Sequence, residues 1–225
     1  MGNKDTHNRL VSELAAQSGR AAVFVDYPPS PEARYPEAVE QAYAVLEHLD
    51  VEGRKYSLSG NKPIVVGDSV GGNMSLAAAL MSQKKKGPKI ERLVLFYPVT
   101  DANFETESYN DFAEGPWLTK KAMQWFWDAY LPEKDKRSEP TATPLQAAME
   151  DLKNLPPTLI ITAENDVLRD EGEAMATKLD QAGVPTASVR MNGTIHDFVM
   201  LNDLAETGPA KAAVCLAVAV IKGVG

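Results

Sequence analysis

Pro63-Ile64-Val65-Val66-Gly67-Asp68-Ser69-Val70-Gly71-Gly72-Asn73 decides how this chain is read. A short, unbroken apolar run stops at Gly67, and a helical pattern runs from Asn73 to Gln83. Between them stands a serine flanked by glycines. A bare Gly-x-Ser-x-Gly is a weak signal, but Asp68, Gly72 and the strand-to-helix context sharpen it. On such a turn side chains beside the serine would collide, so glycine is expected before and after it. The turn pushes the Ser69 hydroxyl out over the sheet. It also aims the Val70 N–H and the helix N-terminus at one point, where a negative oxygen would be stabilised. No Lys-Ser/Thr follows, which argues against a phosphate-binding turn.

Outward from this stretch the pattern alternates. Ala21-Ala22-Val23-Phe24-Val25 is a short, continuous apolar run that suits a parallel strand buried on both faces, and 63–67, 93–97, 158–162 and 187–191 read as the further strands. Helical spacing separates them. Leu10, Val11, Leu14 and Ala15 share a face ended by Gly19, and Pro36 opens a helix carrying Val39, Ala42, Tyr43, Leu46 and Leu49. Further helices span 171–182, with Asp170 as N-cap and Glu173 completing a capping box, and 209–222. Strand and helix in alternation predict a single α/β domain over 1–225, a mostly parallel sheet with helices on both faces. Residues 101–150 contain no strand and hold all three tryptophans. They read as a helical insertion that serves as a lid.

An activated serine needs a base, and the chain has only three histidines. His7 lies near the N-terminus. His48 sits among Glu47 and Asp50 on the solvated side of its helix. His196 follows the last strand, where function gathers in open α/β sheets. The base needs an acid to hold its tautomer, and Glu164, Asp166, Asp170 and Asp197 are the candidates. Asp166 comes just after the fourth strand, whereas the Asp197 side chain would have to fold back to reach the imidazole. Serine, acid, histidine is then the order Ser69, Asp166, His196.

Composition excludes several classes. The 225 residues carry 23 basic and 31 acidic side chains, a net −8, which argues against a nucleic-acid or anionic-membrane binder. The run Lys84-Lys85-Lys86 reads as a solvated helix end. The single cysteine, Cys215, cannot form an intrachain disulfide and reads as a small buried hydrophobe. No secretory leader is recognisable and no apolar stretch is long enough for a transmembrane span, which favours a cytoplasmic address.

The chain resembles the hormone-sensitive-lipase-like carboxylesterases and lipases of the α/β-hydrolase superfamily. The resemblance rests on Asp26-Tyr27 with Pro31-Glu32-Ala33-Arg34-Tyr35-Pro36, on Gly67-Asp68-Ser69-Val70-Gly71-Gly72-Asn73 and on Tyr97-Pro98-Val99. Asp166 with Leu168-Arg169-Asp170-Glu171-Gly172, and His196-Asp197-Phe198, complete it. It implies an α/β-hydrolase-type sheet, Ser69 as nucleophile, His196 as base, Asp166 as its orienter and a lid that includes 101–150. It implies a small ester as substrate and requires no metal or organic cofactor. Trp117, Phe198 and Met200 are the expected pocket residues. Most members carry Gly-Asp-Ser-Ala-Gly-Gly and His-Gly-Phe, so Val70 and Asp197 depart from the pattern and could narrow the acyl pocket. The family's N-terminal strands and His-Gly-Gly-Gly motif, which supplies most of its oxyanion hole, are not in these residues. Only the Val70 N–H remains as oxyanion donor. Weak activity is therefore expected, with a catalytically impaired ligand-binding protein as the alternative. Strand 21–25 is expected to slide against 63–67, giving five parallel strands and an apolar edge that makes the protein a homo-oligomer.

Overall fold

Four parallel strands form the sheet in the order β1-β2-β3-β4, so neighbours in sequence are neighbours in space. They are β1 (Ile64–Asp68), β2 (Arg92–Phe96), β3 (Thr158–Asn165) and β4 (Thr186–Ile195). The computed structural model describes residues 2–58 and 62–223. Helices α1 (Lys4–Ser18), α2 (Glu37–Glu52) and α3 (Val70–Lys85) precede or follow β1, and α4 (Glu107–Asp111), α5 (Lys120–Tyr130) and α6 (Met149–Leu152) occupy the strand-free stretch. α7 (Arg169–Gln181) joins β3 to β4, and α8 (Gly208–Lys222) closes the described chain.

The central strands alternate between two cores. Val94 and Phe96 of β2 and Leu159, Ile161 and Ala163 of β3 meet Leu10 and Leu14 of α1 and the Ala213, Val214, Ala217 and Val218 face of α8. Leu93, Leu95 and Ile160 point the other way, onto Leu76 and Leu80 of α3 and Met175 and Leu179 of α7. Period two on strands buried from both sides produces the unbroken apolar runs. A separate cluster of Tyr109, Leu118, Met123, Trp127 and Leu131 packs on Val99, Val167 and Leu168, which lie just beyond β2 and β3. It sets the 101–150 region over the carboxyl ends of the strands.

Several expectations are corrected. Residues 20–29 form no regular secondary structure, so there is no ladder between 21–25 and β1 and the described sheet has four strands, not five. Val23 and Phe24 are 50% and 40% exposed. With no strand beside it, an apolar run has nowhere to place its N–H and C=O groups except water. β1 is therefore the edge, and Val66 is exposed. Cys215 is also exposed, because Val214 and Ala217 hold the buried face of α8 and position 215 turns outward. Asp170 is not an N-cap. α7 starts at Arg169, and the Asp170 carboxylate accepts the Ser108 N–H at 2.7 Å instead.

Candidate active site

Ser69 sits between β1 and α3 with φ 51° and ψ −117°, a conformation that L-residues rarely adopt. The surrounding backbone holds it there. Its N–H donates to Phe96 O at 2.9 Å, and its carbonyl accepts the N–H groups of Gly72 at 3.0 Å and Val99 at 3.2 Å. A Cβ on Gly67 would stand 2.2 Å from the Gly71 carbonyl oxygen, and one on Gly72 would stand 2.6 Å from Pro98 Cβ. Gly71 is different, since its nearest contact would be Asp68 Oδ1 at 3.8 Å. The expected collision thus holds before the serine and at Gly72, but not at Gly71.

The structure brings Ser69, His196 and Asp166 together from three loops at the carboxyl ends of β1, β4 and β3. Ser69 Oγ lies 3.0 Å from His196 Nε2, and His196 Nδ1 lies 2.7 Å from Asp166 Oδ2. Asp166 is 1% exposed and its second oxygen accepts the Leu168 N–H at 3.0 Å. An ionised carboxylate only accepts, so Nδ1 carries the proton and Nε2 is left to take one from the serine hydroxyl. The other acids are otherwise engaged: Glu164 accepts the Gly193 N–H at 2.6 Å, and Asp170 pairs with Arg169 at 2.9 Å.

Asp197 does reach the imidazole, from the other side. At φ 64° its Oδ1 lies 3.4 Å from His196 Nε2, while Oδ2 accepts the Trp117 indole N–H at 2.9 Å. Burial disfavours the imidazolium of His196, yet the Asp166 charge and hydrogen bond, then Asp197 and Asp68, raise its pKa to about 9. The Tyr97 ring, 4.7 Å from the imidazole between centroids, covers that face of the base.

Val70 is the first residue of α3. Its N–H is among those a helix cannot satisfy internally, and it stands beside the nucleophile. Trp117 is 60% exposed, Phe198 is buried edge-on against Tyr97, and Met200 packs partly buried on the same core. Two contacts had no signal in the sequence. Asn73, buried, donates to the carbonyls of Val99 at 3.1 Å and Ala142 at 2.9 Å, tying α3 to the strand-free stretch. His7 Nε2 lies 3.2 Å from Asp68 Oδ2, a pairing across 61 residues that no local spacing announces. Among the described residues no cluster of three or more His, Cys, Asp or Glu could hold a metal ion, and no helix is long and apolar enough to cross a membrane.

Residues 1–200 match a family model described as alpha/beta hydrolase fold. An alpha/beta hydrolase of Acanthamoeba polyphaga mimivirus is 42% identical over 99% of this chain and 64% of its own length. An ethyl acetate hydrolase of Pseudomonas putida is 32% identical over 92% of this chain and 64% of its own length. The crystal structure of a thermostable esterase from Pseudomonas putida superposes with a TM-score of 0.97 at 47% identity, over 99% of this chain and 70% of that one. The chain thus spans less than two thirds of the length of both curated relatives.

Proposed function

We propose, on the premise that this chain belongs to the alpha/beta hydrolase fold family, that it is a serine carboxylesterase acting on short acyl esters. The observation that carries the reading is the unbroken line Ser69–His196–Asp166, with contacts of 3.0 and 2.7 Å. Ser69 Oγ attacks the acyl carbon while His196 Nε2 accepts its proton. Asp166 keeps the imidazole oriented and stabilises its charged form. The negative oxygen develops beside the Val70 N–H and the α3 N-terminus. Collapse breaks the ester C–O bond, and the leaving alcohol takes the proton from His196. A water that gives its proton to His196 then hydrolyses the acyl-enzyme, restoring Ser69.

The esterase and ethyl acetate hydrolase among the similar proteins support a small ester as substrate. In this reading residues 101–150 form a lid, and Trp117, Phe198 and Met200 border the acyl pocket. The exposed β1 edge and the apolar Val23 and Phe24 support self-association, and the reading places the protein in the cytoplasm. A fluorophosphonate probe tests the core of it. Ser69 is expected to be labelled, with turnover of a p-nitrophenyl ester, and Ser69→Ala is expected to lose both. No labelling of the unmodified protein would overturn the proposal, and labelling without turnover would leave a catalytically impaired protein.

A further inference from the structure

Three carboxylates surround the Ser69–His196 pair. Asp68 immediately precedes the nucleophile, Asp166 lies behind the imidazole, and Asp197 lies 3.4 Å from its outer nitrogen. Among the described residues no lysine or arginine pairs with any of them; their only ionic partners are histidines. His196 is shared by two, and Asp68 is left to His7.

His7 is built to hold that carboxylate. It projects from the first turn of α1, whose start is fixed by the Asn3–Thr6 capping box. Its Nε2 faces Asp68 Oδ2 at 3.2 Å, and its Nδ1 lies 2.9 Å from Thr6 Oγ1 and 3.2 Å from the Asn3 carbonyl oxygen. The Thr6 hydroxyl gives its proton to the Asn3 carbonyl at 2.9 Å, so Thr6 Oγ1, that carbonyl and an ionised carboxylate are all left to accept, and this setting suits an imidazole protonated at both nitrogens. The ring is walled by Phe24, at 6.2 Å between centroids, and by Gly2, where a Cβ would stand 2.7 Å from His7 Cε1. Side-chain exposure is 17% for His7 and 17% for Asp68.

The geometry points to His7 as a positioning residue of the active centre: it acts through Asp68, anchoring the strand end that carries Ser69 and balancing the negative charge of the residue that precedes the nucleophile. This inference rests on the esterase reading only for its kinetic half; the pairing itself does not depend on it. Without a cation at His7, the oxyanion formed on attack by Ser69 would develop beside an unbalanced carboxylate, and attack would slow. The surrounding charges agree. The hydrogen bond that His7 donates to Asp68 raises the His7 pKa, partial burial opposes it, and Asp197 adds to the rise. Tyr27, raised to about 12 by burial and by Asp68, stays neutral. On α1, Arg9 is engaged by Glu13 and by the carbonyls of Val199 and Met200, and Asp5 is exposed; on α8, Lys211 is paired with Glu206.

With three histidines in the chain, imidazole NMR titration of the intact protein resolves each of them. His7 is expected to titrate above the ordinary histidine value near 6.5 and to return to it in Asp68→Asn, with His48 unmoved. An ordinary value in the unmodified protein, or no change in Asp68→Asn, would overturn the pairing. The rate of fluorophosphonate labelling reads the kinetic half. His7→Gln is expected to slow it about tenfold, a barrier increase of about 1.4 kcal/mol. His7→Lys should recover most of the loss, because it restores the charge without the ring shape. In the Asp68→Asn background His7→Gln should change nothing. Equal slowing in both backgrounds, or none in either, would refute action through Asp68. If the unmodified protein itself is not labelled, the esterase reading falls and the titration alone decides the pair.

Discussion

Gly67→Ala and Gly71→Ala, taken together, test the geometry of the turn that presents Ser69. The two glycines flank the serine symmetrically in sequence, yet their surroundings differ. A methyl at 67 would meet the Gly71 carbonyl oxygen at 2.2 Å, the Gly71 carbonyl carbon at 2.3 Å and Ser75 Oγ at 2.6 Å. Two of these are backbone atoms of α3, so the helix must move away from β1 by about 1 Å, a displacement that can cost about 10²-fold in rate when it shifts reacting groups. Overpacking of this kind costs about 1–3 kcal/mol, which lowers the melting temperature by roughly 2–12 °C in a chain of this size. A methyl at 71 meets only Asp68 Oδ1, at 3.8 Å. There the replacement removes glycine's helical disadvantage of about 1 kcal/mol and is expected to leave stability level or raised. Thermal melting by circular dichroism and the rate of fluorophosphonate labelling read both effects. Gly67→Ala should lose stability and labelling together, whereas Gly71→Ala should keep its melting temperature. Equal destabilisation by the two would refute the steric argument.

Asp166→Asn, which removes the charge behind His196 and permits the wrong tautomer, is expected to slow labelling by about 10⁴-fold, and a change under tenfold would point to another orienter. Because His196 must be neutral to accept the serine proton and its pKa is raised to about 9, labelling should climb as pH rises toward 9. Asp197→Asn should move that limb to lower pH, and an unmoved limb would remove Asp197 from the charge balance. Glu171, 1% exposed, accepts the Thr100 N–H at 2.6 Å and the Asp101 N–H at 3.2 Å through Oε1. Burial, against those two hydrogen bonds, holds its pKa well above the usual carboxylate range. A folded pKa above the unfolded value, near 4.3, means that its protonated form stabilises the fold below that value and that this contribution is lost as pH rises through the folded pKa. Glu171→Gln should therefore gain melting temperature relative to the unmodified protein as pH rises from about 4, and parallel curves would show Glu171 already ionised. Glu171→Ala leaves two buried N–H groups unpaired, about 1–3 kcal/mol each, and should lower the melting temperature at every pH.

The layered α/β architecture and the three residues of the proposed triad are legible in the amino-acid sequence. Each announces itself locally. Ser69 is marked by a turn only glycine can close at Gly67, Asp166 by its place after an apolar run, and His196 by elimination among three histidines. The middles of β2 and β3, Leu93–Phe96 and Leu159–Ile161, are uninterrupted apolar runs because both of their faces are covered. Tertiary structure decided what depends on a distant neighbour. Residues 21–25 have the composition of a strand, but a strand exists only where a partner accepts its hydrogen bonds, and no described strand lies beside them. Cys215 has an apolar sequence neighbourhood, but the rotation of α8 on the sheet turns it to solvent. Asp197 reaches His196 only because its backbone takes a left-handed conformation. His7 meets Asp68 because α1 packs along α8 and lays its first turn beside the end of β1. Side-chain chemistry is written along the chain. Which carboxylate an imidazole meets depends on how elements pack, and a contact across 61 residues leaves no periodicity to read.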